Sequence, residues 1–205
     1  MIDTTTGTKN RRTLMNRAHR KHQFTISEWH KMGEYKIFEP PARMELIEGE
    51  IIDMAPIGPS HGGRVKRLNH LFSKQLGDSA IISVQDPIQI RDDSEPEPDI
   101  AILRPEPNFY TERHPMPDDI LLLIEVSDTT INYDRNKKVP LYANNGIVEF
   151  WLVDLGEETI EIYLEPHSQG YAQKRIAKSG EILIPSQLPQ VTMAVSDILV
   201  FGNKL

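Results

Sequence analysis

The chain contains no cysteine among its 205 residues. That excludes disulfides and thiolate metal sites and leaves the redox compartment unconstrained. No apolar run approaches the roughly 18 residues of a membrane span, and no secretory h-region is present, so a cytoplasmic protein is expected. Several catalytic signatures are missing as well. There is no G-x-S-x-G, which removes support for acyl transfer. "SHGGR" (60–64) lacks the Lys-Ser/Thr of a phosphate-binding loop. The seven histidines show neither H-x3-H nor HExxH, so a His-ligated zinc site is not expected. Internal repeats, low-complexity stretches and a second domain are absent too.

What is present is an ordinary globular composition, 39% hydrophobic and 26% charged, with the charge unevenly placed. Residues 1–22 carry six Lys or Arg against one Asp, about five positive charges. The total is −7, which leaves about twelve net negative charges on residues 23–205. The expected organisation is a flexible basic leader over 1–22 and one domain over 23–205. An acidic body argues against tight, nonspecific duplex binding over the whole surface, whereas the leader could grip phosphates.

Periodicity places the elements. "TISEWHKMGE" opens with Thr25 and Glu28 in capping-box spacing and predicts a short helix. "RMELI" and "IIDM" flank Glu48-Gly49-Glu50 as a hairpin. Val65, Leu68, Phe72 and Leu76 recur at helical spacing, and Gly77 ends that helix. "AIISVQ", "PIQIR" and "DIAILRP" read as strands, followed by a Pro-rich link to "ILLLIEV", a strand buried on both faces. A helix is expected from about Tyr133 to Asn144, kinked or started late by Pro140. "VEFWLVD", "TIEIYL" and "GYAQKRI" are further strands, with Phe150 and Trp151 read as core. The tail "PQVTMAVSDILVF" is a weak strand or short helix. Helices interleaved with strands in this order give an α/β or α+β class, a central mixed sheet with helices packed against it.

Three acids sit beside apolar strands: Glu45, Asp99 and Glu125. If strands 99–103 and 120–125 are neighbours, Asp99 and Glu125 converge at one sheet edge. Two carboxylates held close repel, and a cation between them or a proton on one relieves this. Removing either acid from metal-free protein is therefore expected to be neutral or stabilising. Oxygen ligands with open water positions suit Mg²⁺ or Mn²⁺. Lys137 and Lys138 follow on the next helix, about 100° apart, so only one can face the acids. Asp134, Lys138 and Tyr142 are spaced by four and share a face. His61, near a helix N-terminus, is a further candidate.

The ordered set "MELIEGEIIDMAPIGPSH", "VQDPIQI", "EPEPDIAILRP" and "LLLIEVSDTTINYDRNKKVPLYANNGIVEFWLVD" resembles the Uma-type family of restriction endonucleases. This is a bacterial family, abundant in cyanobacteria, within the PD-(D/E)xK nuclease superfamily. The resemblance runs from about Phe24 to the C-terminus and is most specific from Glu95 to Asp154. It implies a restriction-endonuclease-like core, with Asp99 as the Asp of the PD motif and Glu125 as the acid of the (D/E)xK motif. Glu45 would complete the metal environment, ligating through water or acting on a second metal. The superfamily lysine would fall at Ser127; the resemblance implies its displacement to Lys138.

On that resemblance the chain is a Mg²⁺- or Mn²⁺-dependent DNA endonuclease. Asp99, Glu125 and the backbone carbonyl of Val126 would hold the metal. Lys138 would orient water or stabilise the transition state. His61, Gln85, Ser127, Asp134 and Tyr142 would be supporting residues, Tyr142 toward the lysine or a phosphate. DNA is the expected partner and a homodimer the expected assembly. Two alternatives stand beside it: a non-catalytic nucleic-acid-binding or regulatory module on the same fold, and a hydrolase of RNA or another phosphate ester.

Overall fold

A computed structural model describes residues 21–38 and 43–199. The basic leader expected over 1–22 lies outside the described residues except for its last two positions. Strands β1 (Met44–Ile47) and β2 (Glu50–Asp53) form the expected hairpin. Glu48 and Gly49 take φ of 51° and 76°, as a two-residue turn with two positive φ values requires. A Cβ on Gly49 would also come within 2.6 Å of the Gln23 Cβ, so the turn needs glycine on two counts.

Helix α1 (Ile26–Glu34) opens with the expected capping box: the Glu28 amide donates to Thr25 Oγ1, and the Thr25 amide donates back to the Glu28 carboxylate. Helix α2 (Pro59–Leu76) buries Val65, Leu68, Phe72 and Leu76. Six strands then make the central sheet, adjacent in chain order: β3 (Ile81–Ser83), β4 (Ile100–Leu103), β5 (Ile120–Ser127), β6 (Glu149–Asp154), β7 (Thr159–His167) and β8 (Gly170–Ala177). Every pair is antiparallel except β5 with β6. That parallel pair requires a crossover, which is the helical segment 131–144. A small pair, β9 (Ile182–Leu183) with β10 (Met193–Ala194), is followed by a short helix (Val195–Leu199), the last described element. The tail is thus both a strand and a helix.

The run Ile120 to Ile124 is continuously apolar because both sheet faces are covered. Leu122, Ile124 and Val126 pack with Phe72 of α2 and Trp151 in one core. Leu123 packs with Val139, Leu141, Tyr142 and Phe150 in the other. Each fully buried aliphatic side chain contributes about 1.5–3 kcal/mol. Alternation along β5 places Glu125 on the Leu123 face, under the crossover helix.

One expectation fails and one is refined. "PIQIR" forms no strand. Ile88 and Ile90 are buried, but their amides donate to Pro96 and Ser94 carbonyls, and Gln89 donates to Pro115, so the segment folds onto neighbouring loops. The alternation reported burial, not a ladder. The late start expected from Pro140 is borne out for the regular α-helix, which begins only at Val139, and what precedes it was not expected. A single turn, α3 (Ile131–Tyr133), leads into a π-helical segment at Asp134–Lys138 and then α4 (Val139–Asn144). Pro140 has no N–H and sits in the first turn of α4, where a missing donor costs little. The wider turn is closed by the Val139 amide on the Asp134 carbonyl.

Candidate active site

Asp99 ends the polar loop before β4, and the antiparallel pairing of Ile100 with Ile124 sets it beside Glu125. Its carboxylate is buried and accepts three protein donors. The Val126 amide reaches Oδ2 at 2.8 Å, His61 Nε2 lies 3.0 Å from the same oxygen, and Gln85 Nε2 donates to Oδ1 at 3.0 Å. Gln85 is held for this at a φ of 56°. His61, in the first turn of α2, has its pKa raised, chiefly by the hydrogen bond to Asp99 and against the effect of burial.

Glu125 is reached from the crossover helix. Lys138 Nζ donates to Glu125 Oε1 at 2.9 Å, and the Tyr142 hydroxyl donates to the same oxygen at 2.7 Å. Lys138 also pairs with Glu45 Oε2 at 3.2 Å, and that oxygen accepts the Glu97 amide at 3.4 Å. Glu45 is delivered from β1 because the Glu95 amide bridges to the Leu46 carbonyl at 2.8 Å, tying the hairpin to the loop before Asp99. Burial pushes the Glu125 carboxyl up to about 8; the Lys138 charge opposes this, while Asp99, Asp134 and Glu45 add to it. Burial by itself would lower the Lys138 ammonium, but Glu125, Glu45 and Asp134 together raise it well above its ordinary value. Lys138 is therefore the permanent cation of the pair.

Lys137 projects elsewhere, half exposed and 3.9 Å from Glu48. Asp134 is buried and accepts from Thr130 Oγ1 at 3.0 Å, which in turn lies 3.0 Å from Ser127 Oγ. Ser127 and Asp134 thus fix the chain that leaves β5. Tyr142 is fully buried on Glu125, so the expectation that it could contact a phosphate is corrected. Arg135 anchors the π segment from outside, with Asp154 Oδ2 at 2.7 Å and Glu161 Oε1 at 3.0 Å.

Glu45, His61, Gln85, Asp99, Glu125, Asp134 and Lys138 border a cavity of about 340 Å³ that also includes Arg43, Glu97, Thr130 and Tyr133, whereas Ser127, Lys137 and Tyr142 do not line it. Sequence spacing missed those four. Glu97 and Tyr133 each lie within two residues of a named acid, which was the available signal. The Tyr133 hydroxyl and His61 Nδ1 are buried without a hydrogen-bond partner, so the wall retains unspent polar capacity.

Hard divalent ions fit part of this donor set. Glu125 Oε1 is occupied by two donors while its Oε2 has none, and Asp99 Oδ1 has only Gln85. Both carboxylates therefore keep acceptor capacity of the type Mg²⁺ and Mn²⁺ use. Glu45 does not join them: among the described residues, Glu45, Asp99 and Glu125 do not bring one ligand atom each within 4.8 Å of one another. Glu45 stands with the lysine instead.

A six-stranded mixed sheet flanked by helices, with two acids converging where β4 meets β5, defines a restriction-endonuclease-like α/β fold. The chain belongs to the Uma2 family, described as "Putative restriction endonuclease", whose model matches residues 27–196. Its fold is similar to a crystal structure of "a putative nuclease belonging to DUF820" from Anabaena variabilis. The TM-score is 0.65 at 17% identity, over 85% of this chain and 97% of that one. No curated protein matches the sequence. Among the described residues no helix is long and apolar enough to cross a membrane.

Proposed function

We propose that this protein is a divalent-metal-dependent endonuclease that hydrolyses DNA phosphodiester bonds in the cytoplasm. The observation that carries this reading is the convergence of Asp99, Glu125 and Lys138, all buried, on one cavity wall. Like-charged acids are costly to bury together unless a cation accompanies them.

Asp99 and Glu125, with the Val126 carbonyl, would hold Mg²⁺ or Mn²⁺. When bound there, the ion supplies Lewis-acid polarisation of the phosphate and a lowered pKa for coordinated water. The protein's own groups do the rest. The Val126 amide, Gln85 and His61 fix the orientation of the Asp99 carboxylate. Tyr142 and Lys138 lock one oxygen of Glu125 and leave the other for the ion. Lys138 keeps a cationic nitrogen at the cavity wall, where charge builds on the phosphate in the transition state. Glu45 holds that nitrogen in place.

Two copies would address the two strands of a duplex. Among the described residues β8 ends the sheet without an outer partner, and with Ile176, Ile182 and Ile184 exposed nearby this supports such an assembly. Light scattering should give twice the 23.4 kDa chain mass.

The test is conversion of supercoiled plasmid to nicked circle, with a single-stranded RNA run in parallel. Cleavage of the plasmid with Mg²⁺, abolished by chelator and by Glu125→Gln, is the expected result. Cleavage of RNA alone would move the substrate, and no cleavage of either with Mg²⁺ or Mn²⁺ would overturn the proposal.

A further inference from the structure

Away from the acid cavity, the fold gathers a second set of ligand-type side chains from three distant segments. His30 lies on α1, Glu95 in the loop before β4, and His114 in the Pro-rich link before β5. Among the described residues this is the one group in which three such side chains each bring a ligand atom within 4.8 Å of the others.

The contacts are specific. Both oxygens of Glu95 lie 2.9 Å from His30 Nε2. The His30 and His114 rings stand edge to face with centroids 6.2 Å apart. Backbone contacts bring the three segments together. The Ile26 amide donates to Asp92 at 2.7 Å, which lays α1 on the loop, and His30 follows Ile26 by one helical turn on the same face. The Glu95 amide is held by Leu46, and the Gln89 amide donates to Pro115 at 2.8 Å, beside His114.

Glu95 itself is buried, yet among the described residues no Lys or Arg accompanies it and its only ion-pair partner is His30. A carboxylate withdrawn from water calls for a compensating cation. Two imidazoles and one carboxylate match zinc and other late first-row ions, unlike the all-oxygen set of the acid cavity. At bond lengths of about 2.0–2.2 Å, two ligands on a tetrahedral ion stand roughly 3.3–3.5 Å apart. The His30–Glu95 pair would open by only about 0.5 Å to admit it.

We infer that His30, Glu95 and His114 form a zinc-type divalent metal site, with water in the fourth position, that staples α1 to the loop preceding Asp99. This site is independent of the endonuclease reading. Because its ligands are 65 residues apart between His30 and Glu95 alone, it exists only in the folded chain, and binding there must stabilise the fold.

Untagged full-length protein, stripped with chelator and dialysed, would be titrated with Zn²⁺. Bound metal would be measured by elemental analysis and stability by thermal melt. The expected result is a zinc equivalent that raises the melting temperature by several degrees, persists in Glu125→Gln, and is lost in both His30→Ala and His114→Ala. Those two side chains are not in the buried core, so their removal leaves a folded protein to titrate, which circular dichroism verifies. Affinity in each should drop by more than the roughly 10- to 100-fold that loss of an outer-sphere partner costs. Zinc stoichiometry and melting shift unchanged in both histidine variants would overturn the inference. So would failure of the unaltered chain to bind zinc at micromolar concentration, or loss of all zinc in Glu125→Gln.

Discussion

Lys138 donates to Glu125 across 2.9 Å from a π-helical turn, while its neighbour Lys137 points away to a half-exposed position near Glu48. Two adjacent lysines therefore have unequal roles. Lys138→Ala should lower metal-dependent cleavage by roughly 10²-fold or more, as for loss of one group that stabilises the transition state. Lys137→Ala should leave the rate within about twofold, because an exposed pair contributes ~0–1 kcal/mol. Single-turnover nicking rates on the two variants decide it, and the reverse ranking would reject the assignment.

Glu125 makes metal-free stability depend on pH. Its folded pKa is raised from 4.5 to about 8. Below about 4.5 both folded and unfolded chains carry this proton. Between there and about 8 the folded chain holds a proton that the unfolded chain has lost, so stability falls as pH rises. The slope from one such group is at most about 1.4 kcal/mol per pH unit. Melts in chelator should show this decline, and Glu125→Gln should flatten it. Gln keeps an oxygen for Lys138 and Tyr142 and places its amide where no donor is displaced, so it should be neutral or stabilising near pH 8.

Asp99 should behave differently, and here the structure changes the expectation drawn from charge repulsion alone. Both its oxygens accept protein donors. Asp99→Asn sets an NH₂ against one of them and should cost about 1–3 kcal/mol in a chelator-treated melt. A stabilised Asp99→Asn would show that repulsion outweighs those hydrogen bonds.

Arg135 should matter for folding. It is the shared partner of Asp154 and Glu161, both buried. Arg135 is itself about a third exposed and Asp154 keeps the Gly156 and Glu157 amides, so Arg135→Ala should cost about 1–3 kcal/mol and lower the denaturation midpoint. Glu161 retains Lys174 at 3.0 Å, which keeps the loss below a complete collapse.

Much of this was legible because the signals are local. A hairpin turning at Gly49, a capping box in "TISE" and an unbroken apolar run before Glu125 each follow from short-range rules, although Glu50 proved to belong to the second strand and not to the turn. Neighbouring strands then forced Asp99 and Glu125 together. What was not legible depends on tertiary context. "PIQIR" alternates like a strand but takes its hydrogen bonds from Ser94, Pro96 and Pro115. The π segment at Asp134–Lys138 has no sequence period of its own. His30, Glu95 and His114 are invisible to a spacing rule such as H-x3-H, because three separate segments supply them.

The π segment makes the crossover two half-helices set out of phase. On one side Arg135 grips Asp154 and Glu161; on the other Lys138 and Tyr142 close on Glu125. A π turn is one residue more than a regular α-helix needs, an offset of about 100°. A chain shortened by one residue between Arg135 and Lys138 would make a better-bonded helix, yet could not hold both grips at once. The irregular turn is a spacer whose length matters more than its composition. Single-residue deletion in this stretch should therefore be far more damaging than substitution of the exposed Asn136 at its centre.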